Sequence, residues 1–440
     1  PRAPCGTPIR ARSYSLLQEP LYCMFSNCQV AVAERRGLEE VSGMEREEYQ
    51  DTEIGRIPKE WKVVRLGEVC DYKSGVWAQA DPEGIPVLRS TDFLPDGSLS
   101  YGTAIRLALS EKQLRKSILQ PGDILLERSG GGPNKPVGRV AYFQGQGTYC
   151  FGNFITCLRV SRADVEPKFL FYYLFHFHIS GRTEPLQTQT TNIRNLRFDE
   201  YLAITIPLPP LPEQKKIAEI LSVVDRAIEE TDEAIEKTEK LKRGLMEKLL
   251  TGGIGHTDFQ DTEIGRIPRD WKVVRLGEVA RVESGFGFPL KYQGKALGKY
   301  PFIKVKDLNA SPKYINAAEN YIDDEDVQSL RVKVFPPKTI LFPKIGMTIH
   351  LNKFRVLNTW GIVDNNIAGV IPEKKIDPEF LFYYFCAKVD LKQLSGRTTA
   401  PSIRKTTLAI LPLPLPPLPE QKKIAEILMT VDRKIELLRK

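Results

Sequence analysis

The chain contains an internal repeat, and this repeat limits the possible folds more than any other feature of the sequence. The segment from Gln50 to Val69, QDTEIGRIPKEWKVVRLGEV, returns from Gln260 to Val279 as QDTEIGRIPRDWKVVRLGEV, 210 positions later. A period of this length is far above the roughly 20 to 50 residues of a solenoid unit. The sequence therefore predicts two similar whole domains.

Further matches follow in the same order along both copies. Residues 169–173 (FLFYY) recur at 380–384, and residues 207–221 (PLPPLPEQKKIAEIL) recur at 414–428. Between these landmarks the two copies differ. Two interpretations account for the difference: the domains carry different recognition surfaces, or they drifted apart after duplication.

Each copy ends in a segment whose apolar spacing predicts a long helix. Residues 213–250 contain no proline and one glycine, and their apolar residues follow one another in steps of three, four and seven, the pattern of a helix that packs along another helix. At 1.5 Å per residue this helix is about 57 Å long. Residues 416–440 form the shorter second helix. The predicted helix seam consists of Ile217, Leu221, Val224, Ile228, Ile235, Leu245, Ile424, Leu428, Val431, Ile435 and Leu438.

The residues between these landmarks predict an α+β fold made of two similar mixed α/β domains, at 46–212 and 251–415. Short β-rich runs such as Trp61–Leu66 alternate with turns, and one helix begins at Pro167. The segment Pro207–Pro212 is so rich in proline that we expect neither helix nor sheet there, but a stiff extended joint.

The N-terminal region gives two open alternatives. Residues 36–41 (RGLEEV) resemble residues 243–248 (RGLMEK) at an offset of 207. Either this match is chance, or a short N-terminal helix within residues 30–45 completes a circularly permuted, pseudo-two-fold repeat. Residues 1–29 have no pattern and are expected to be a disordered or non-native leader.

The net charge is concentrated in the second copy. The whole chain carries +8, residues 46–212 carry +1, from 20 basic and 19 acidic residues, and residues 251–419 carry +7, from 24 basic and 17 acidic residues. A localised positive surplus favours a polyanionic partner, and DNA is the natural candidate. Charge alone supports a non-catalytic bivalent protein-binding scaffold equally well.

The sequence argues against several other classes of protein. Its seven cysteines include no CxxC pair and no histidine at ligand spacing, so neither a disulfide framework nor a metal site is expected. No apolar run approaches about 18 residues, and the N-terminus does not resemble a signal peptide, so a cytoplasmic location is predicted. The motifs GxxxxGK[ST], GxSxG and HExxH are absent, which indicates a binding protein with no catalytic residues.

The paired motifs GRIPxxWKVVRLGEV and PLPPLPEQKKIAEIL, each present twice, resemble the specificity subunit of type I restriction-modification enzymes over residues 36–440. This resemblance implies two target recognition domains, each recognising half of a bipartite DNA site. It implies two conserved helices that pack as an antiparallel coiled coil and dock two methyltransferase (modification) subunits. Restriction subunits complete the complex, and S-adenosylmethionine, Mg²⁺ and ATP are expected on these partners, with no cofactor on this chain.

Candidate DNA-contacting residues are the polar and basic side chains of loops, because Arg and Lys suit guanine, and Asn and Gln suit adenine, in the major groove. Arg182 and Arg397, which occupy matching positions, are the best candidates for a phosphate contact shared by both domains. The full set is Arg89, Arg128, Ser129, Lys135, Arg182, Gln187, Gln189, Thr191, Asn192 and Arg194 in the first domain, and Lys304, Lys306, Lys344, His350, Arg397, Thr398, Ser402, Arg404 and Lys405 in the second.

Overall fold

A computed structural model of the chain describes residues 49–131, 135–190, 193–395 and 401–440. The expected leader at residues 1–29 and the expected N-terminal helix at residues 30–45 lie outside the described residues. The chain divides into two units, Pro1–Asp232 and Glu233–Lys440. The boundary between them falls inside the first long helix.

The first unit is mixed in structure, with short strands, three short helices and the first part of a long helix. Its helices are α1 (Glu111–Ser117), α2 (Pro167–Ile179), α3 (Phe198–Leu202) and the first part of α4 (Leu211–Gly252). Its strands are β1 (Tyr49–Thr52), β2 (Gly55–Pro58), β3 (Lys62–Arg65), β4 (Cys70–Ser74), β5 (Ala80–Leu88), β6 (Ile105–Leu107), β7 (Ile124–Glu127), β8 (Ser129–Gly131), β9 (Val140–Tyr142), β10 (Cys150–Phe151), β11 (Ile155–Val160), β12 (Gln187–Thr190), β13 (Ile193–Leu196) and β14 (Thr205–Leu208).

The second unit repeats this plan. Its helices are α5 (Val305–Ala310), α6 (Asp324–Leu330), α7 (Pro378–Lys388), α8 (Leu391–Leu394), α9 (Lys405–Ala409) and α10 (Leu418–Leu438). Its strands are β15 (Phe259–Thr262), β16 (Gly265–Pro268), β17 (Lys272–Arg275), β18 (Ala280–Ser284), β19 (Tyr300–Ile303), β20 (Tyr314–Ile315), β21 (Asn320–Ile322), β22 (Ile340–Pro343), β23 (Arg355–Leu357), β24 (Ile362–Val363), β25 (Ile367–Pro372) and β26 (Pro412–Leu415).

Both units share one sheet frame. The main sheet has the order β4-β11-β7-β9 in the first unit and β18-β25-β22-β23-β20 in the second. A smaller sheet, β10-β5-β6, corresponds to β24-β19-β21, with the same parallel pairing of β10 with β5 and of β24 with β19. The hairpins β1-β2 and β15-β16, and the pairs β3-β14 and β17-β26, are also equivalent. The predicted α+β fold of two similar domains is confirmed.

The three-stranded sheet β12-β13-β8 is the main addition in the first unit. In the second unit, the strand that corresponds to β7 is followed by a short 3-10 helix, Met347–Leu351, and a single β-bridge joins Ile345 to Ser402. The two domains therefore differ at this corresponding place on a shared frame, and the second main sheet has one additional strand, β20.

The long helices begin inside the proline-rich segments, and the prediction of a stiff joint there was wrong. Pro207 belongs to β14, where it pairs with Val63 of β3, and Pro212 is the second residue of α4. A two-stranded sheet tolerates proline because each strand has a free edge that needs no N–H donor. The first turn of a helix tolerates it because its N–H groups have no intrahelical acceptor.

In the second unit, the C-terminal part of α4 runs antiparallel to α10. Arg439, near the end of α10, forms an ion pair with Glu239 at 2.5 Å, and Glu420, near its start, accepts a hydrogen bond from Ile254 N, just after α4, at 2.9 Å. One core contains Leu245, Met246, Leu249 and Leu250 of α4 with Ile424, Ala425, Ile427 and Leu428 of α10.

In the first unit, the N-terminal part of α4 packs on the mixed α/β domain of the same unit. Ile217 and Leu221 are buried in its core, and Ile228 is half-buried beside them. Val224 is 36% exposed, although at 100° per residue it lies only about 60° around the helix from Leu221 and about 40° from Ile228. Ile235, Ile424, Leu428 and Ile435 are buried, and Leu245, Val431 and Leu438 are half-buried.

A buried glutamine anchors each long helix to the mixed α/β domain that precedes it. Gln214 donates hydrogen bonds to Asp164 O at 2.9 Å and Pro209 O at 2.7 Å, and it accepts one from Glu166 N at 2.9 Å. These contacts join the start of α4 to the loop before α2.

Gln421 repeats this arrangement at the start of α10. It donates to Lys375 O at 3.3 Å and Pro416 O at 2.8 Å, and accepts from Asp377 N at 2.7 Å. Both glutamines are fully buried. The same residue thus performs the same anchoring in both units.

A tyrosine–aspartate hydrogen bond forms a second anchor in each unit. Tyr172 donates to Asp225 at 2.5 Å, and Tyr383 donates to Asp432 at 2.5 Å. Burial, followed by the neighbouring carboxylate, raises the pKa of both hydroxyl groups, so each remains protonated and donates. In the second unit, Lys242 of α4 also pairs with Asp432 at 2.5 Å.

Replacing Gln214 or Gln421 with alanine should destabilise the protein. Each substitution leaves buried backbone groups without a partner, which costs about 1–3 kcal/mol. Chemical denaturation of the full chain measures the change. Gln328→Ala, an exposed position in α6, is the matched control, and equal effects from all three variants would contradict the anchoring role.

Candidate nucleic-acid interface

Strand register identifies equivalent residues at the ends of β7 and β22, the place where the surfaces of the two domains differ. Glu127, the last residue of β7, pairs with Ile155, and Pro343, the last residue of β22, pairs with Ile367. The residues that follow, Arg128 and Lys344, are therefore equivalent.

The main-chain surroundings of these two cations agree with the register. Arg128 N donates to Phe154 O at 2.9 Å, and Lys344 N donates to Asn366 O at 2.8 Å. Each acceptor lies in the loop that precedes the central partner strand. Both domains thus place a basic side chain at the same end of the same strand, and the sequences diverge after it.

Arg128 is supported by an aromatic pair. Its guanidinium carbon lies 4.8 Å from the centre of the Phe198 ring, and Phe198 contacts Tyr72 edge-to-face at 5.0 Å. Arg128 is exposed, and no carboxylate lies within ion-pair distance of it among the described residues. A cation over an aromatic face is attracted by the ring quadrupole. Its N–H groups are thus held in place while remaining available to a ligand.

The sheet β12-β13-β8 surrounds Arg128 with polar side chains. Ser129 donates to Asn195 Oδ1 at 2.5 Å, and Leu196 N donates to Arg128 O at 2.9 Å. Gly131 has no room for a side chain, because a Cβ there would lie 2.1 Å from Lys135 O. Phe154, 48% exposed, borders this surface.

Two of the predicted DNA contacts in the first domain have internal partners. Arg89 donates to Asp92 at 3.4 Å and to Thr103 O at 3.0 Å. Gln187 donates to Val137 O at 3.0 Å and accepts from Val137 N at 3.2 Å. These side chains hold loops in place.

The remaining predicted residues of the first domain lie at or near the additional sheet. Lys135, Arg182 and Gln189 are exposed, and Gln189 pairs with Arg194 across β12 and β13. Burial, followed by the charge of Arg182, lowers the pKa of His176 to about 4. Thr191 and Asn192 lie outside the described residues.

In the second domain, a cluster of lysines surrounds Glu283. Lys405 lies 3.2 Å from the Glu283 carboxylate, and Lys333 also contacts it. Both lysines lower the pKa of Glu283. Lys344 donates to Ser284 Oγ at 2.8 Å, and burial, followed by the charge of Lys405, lowers the pKa of Lys344. Lysines thus occupy the place that Arg128 and its aromatic pair occupy in the first domain.

The 3-10 helix after Lys344 presents an exposed apolar residue beside these cations. Met347 is 69% exposed, and His350 is exposed in the same turn. Asn352 ends the turn in the left-handed conformation (φ 48°), donating to Val389 O and accepting from Leu391 N. These bonds hold the loop against the segment after α7.

The other predicted residues of the second domain divide into two groups. Ser402 and Arg404 are exposed beside the loop that contains Lys344. Lys304 donates to Gln293 at 3.0 Å, and Lys306 pairs with Glu319 at 3.1 Å, so both have internal partners. Arg397 and Thr398 lie outside the described residues, and the phosphate contact predicted for Arg182 with Arg397 stays a prediction.

Sequence patterns did not identify Phe198, Tyr72 or Phe154 as part of this surface. Tyr72 lies in β4 and Phe198 in α3, more than 120 residues apart. No local spacing links these residues, because only the pairing of β4 with β11, and of β11 with β7, brings them to Arg128.

The part of the chain that the structure describes contains no group of three or more His, Cys, Asp or Glu side chains suited to a metal ion. In the same residues, no helix is long and apolar enough to cross a membrane.

Comparison with known proteins decides the family. The family model of the type I restriction modification DNA specificity domain matches residues 58–239 and 268–440. The chain belongs to the type I restriction-modification specificity family. The two matches correspond to the two halves of the repeat, each extending into a long helix.

Relatives in this specificity family cover nearly the whole chain. A putative type I restriction enzyme MjaX specificity subunit of Methanocaldococcus jannaschii is 31% identical over 412 residues, which are 90% of this chain and 92% of that protein. The type I restriction enzyme MjaVIII specificity subunit of the same organism is 30% identical and covers 90% and 91%. The crystal structure of the type I restriction-modification system S subunit from M. genitalium has the same fold, with a TM-score of 0.56 at 18% identity, covering 86% of this chain and 91% of that chain.

Replacing Glu283 with glutamine should strengthen salt-sensitive DNA binding. The substitution releases Lys333 and Lys405, which are 50% and 49% exposed. Each lysine that then contacts a phosphate steepens the slope of log K against log[salt] by about 0.9. Titration of a random-sequence duplex at several salt concentrations measures this change.

The control is Glu325→Gln, an exposed residue of α6 that has no ion-pair partner among the described residues. It removes the same charge. A slope change of equal size in both variants would mean that Glu283 does not restrain the lysines.

Proposed function

We propose that the chain is the DNA-recognition subunit of a type I restriction-modification complex, in which each domain recognises one half of a bipartite site. The observation that carries this proposal is the equivalence of Arg128 and Lys344. One frame places a cation at the same point in both domains, while the surroundings differ: an aromatic pair and a polar sheet in the first domain, a lysine cluster and an apolar turn in the second. Different surroundings at an equivalent position suit two different half-sites.

Arginine and lysine at these positions match DNA chemistry. An arginine held over an aromatic ring can donate two parallel hydrogen bonds to O6 and N7 of guanine, and such a pair discriminates against other bases by about 1–3 kcal/mol. The ammonium group of Lys344 is a compact point charge without the planar fork of donors that arginine has. We therefore expect Lys344 to contact the second half-site with a different hydrogen-bond geometry.

The helices supply the second part of the proposal. Two methyltransferase subunits dock on them, restriction subunits join the complex, and S-adenosylmethionine, Mg²⁺ and ATP bind to those partners. This chain itself contributes no catalytic residue. The support is that the sequence lacks nucleotide-binding and hydrolase motifs and that α4 and α10 carry long charged faces.

Selection from a random duplex library tests the function. The chain, assembled with its modification subunit, should enrich a site with two specified parts separated by unspecified pairs. Enrichment of no sequence would reject the proposal in favour of a protein-binding scaffold.

Arg128→Ala should remove the base preference at one position of the first half-site and leave the second half-site unchanged. The wild-type preference there should be guanine, and affinity for the selected site should fall by about tenfold or more, as expected for losing a bidentate contact. Sequencing of the enriched library measures both effects.

Arg162→Ala is the charge control, since Arg162, which forms an ion pair with Asp164, follows β11 at the end of the strand opposite Phe154. It removes the same charge from the same domain. If Arg128→Ala weakens all sequences equally and reduces the salt slope by about one, Arg128 contacts phosphate and no base.

Lengthening α4 should lengthen the spacer of the target. Four residues inserted after Thr231 add about 6 Å, close to two base pairs of duplex at 3.4 Å each. The preferred spacer should grow by one or two pairs while both half-sites remain unchanged. The same library selection measures the spacer, and an unchanged spacer contradicts the role of the helix.

A further inference from the structure

Both domains contain an equivalent turn just before the strand that pairs with β7 or β22. The turns span residues 152–155 and 364–367, and in each the last residue donates a backbone hydrogen bond to the first, at 3.0 and 2.9 Å. The last residue of each turn pairs with the last residue of β7 or β22, so the two turns have the same register. Asn153 and Asn365 are therefore equivalent, each being the second residue of its turn.

The same main-chain contacts fix both turns. Gly75 approaches the first turn so closely that a Cβ there would lie 2.0 Å from Gly152 O, and a Cβ at Gly285 would lie 2.1 Å from Asp364 O. The first residue of each turn also donates a hydrogen bond to the middle strand of the smaller sheet, at 2.8 Å to β5 and at 2.9 Å to β19. Each domain therefore holds its asparagine in place by equivalent contacts.

Each turn lies beside the cation that follows β7 or β22. The carbonyl oxygen of the third residue of the turn accepts a hydrogen bond from the backbone N–H of Arg128, at 2.9 Å, or of Lys344, at 2.8 Å. The asparagine precedes this third residue and is exposed in both domains. The amide group and the cation therefore belong to one surface in each domain.

The fold places no demand on asparagine at these two positions. Neither Asn153 nor Asn365 has a positive φ, the conformation that asparagine tolerates better than most residues. Within the part of the chain that the structure describes, neither side chain forms a hydrogen bond. Asn366 differs, since its side chain donates to Asp364 Oδ1 at 2.7 Å. The two exposed amide groups are thus available to a ligand.

Identity between the two turns and their flanks is limited to two of seven positions. Residues 150–156 read CFGNFIT and residues 362–368 read IVDNNIA, so only the asparagine and the isoleucine two residues later are the same. Both isoleucines are buried, and core packing accounts for them. Packing does not account for an exposed asparagine. Its presence in both copies indicates a ligand group that both domains share.

The chemistry of the amide group matches one base. Asparagine presents an N–H donor and a C=O acceptor side by side, and adenine presents the complementary N7 acceptor and N6 donor in the major groove. A phosphate offers only acceptors, so it would use the donor half of the amide alone. The neighbouring arginine of the first domain suits guanine.

We propose that Asn153 and Asn365 each recognise an adenine, so that both half-sites contain an adenine at an equivalent place although their other bases differ. This proposal rests on the proposed function and adds two specificity-determining residues to it. In the first half-site, the adenine lies close to the guanine that Arg128 contacts.

Two substitutions at each position test the contact in the full chain assembled with its modification subunit. Asn153→Ala removes the amide group, whereas Asn153→Asp keeps the acceptor and the shape but removes the N–H donor. Selection from the random duplex library should show that both variants lose the adenine of the first half-site only, with Asp favouring cytosine in its place. Asn365→Ala and Asn365→Asp should do the same in the second half-site only.

A modified base tests the hydrogen bond to one atom. 7-Deazaadenine lacks the N7 acceptor and still pairs with thymine. At the adenine of the first half-site it should weaken binding by the wild type about fivefold or more, the lower end for a bidentate contact. The Asn153→Ala variant should bind both duplexes equally, because it has no donor to lose. Titration of the two duplexes measures these affinities.

Asn358→Ala is the matched control. Asn358 is exposed, and it follows β23 at the end of the sheet opposite to Lys344. Its side chain donates to Asn316 Oδ1 at 2.8 Å. This variant should retain the adenine in both half-sites. Circular dichroism confirms that every variant is folded.

Three results would overturn the proposal and leave the proposed function intact. They are a selected bipartite site in which one half contains no adenine, retention of both adenines by the Asn153 and Asn365 variants, and an equal loss of affinity for all sequences, as a phosphate contact would give. If the wild-type assembly selects no sequence at all, this proposal and the proposed function fail together.

Discussion

The buried glutamine at the start of each long helix is the contact on which the rest of the structure depends. A helix start leaves backbone N–H groups without intrahelical acceptors, and a loop packed beside it has unpaired groups of its own. Gln214 and Gln421 pair with the main chain of the loop before α2 and α7 and with the proline segment before their own helix. Since both are fully buried, a lost partner is costly. Each recognition domain is thereby held in one orientation on its own helix.

A fixed frame allows the exposed surface to vary. The central strands β7 and β22 end at the same register, and the residues that follow them are Arg128 and Lys344. Beyond that point, one domain builds the sheet β12-β13-β8 and the other a 3-10 turn ending at Asn352. Recognition can thus change without disturbing the core, because these additions pack on the end of the frame and not within it.

Much of the architecture could be predicted from the sequence, because repeats and helical periodicity are local signals. The two domains and the long helices were predicted, with α4 beginning two residues earlier than expected, at Leu211. The proline segment was misjudged, because proline is compatible with an edge strand and with a first helical turn. The exposure of Val224 was not predicted, because the apolar spacing gives the direction of a side chain on the helix but not what packs against it.

The sequence by itself determined that the chain has two similar domains whose central segments differ, long helices, a positive second half and a family resemblance. Each of these follows directly from the order and composition of the residues. Only the tertiary structure decided which residues share a surface. The stacking of Arg128 on Phe198 beside Tyr72 depends on strand pairing between segments far apart in the chain. Local spacing carries no information about such pairing, because side chains from distant segments meet only after the sheet register is set.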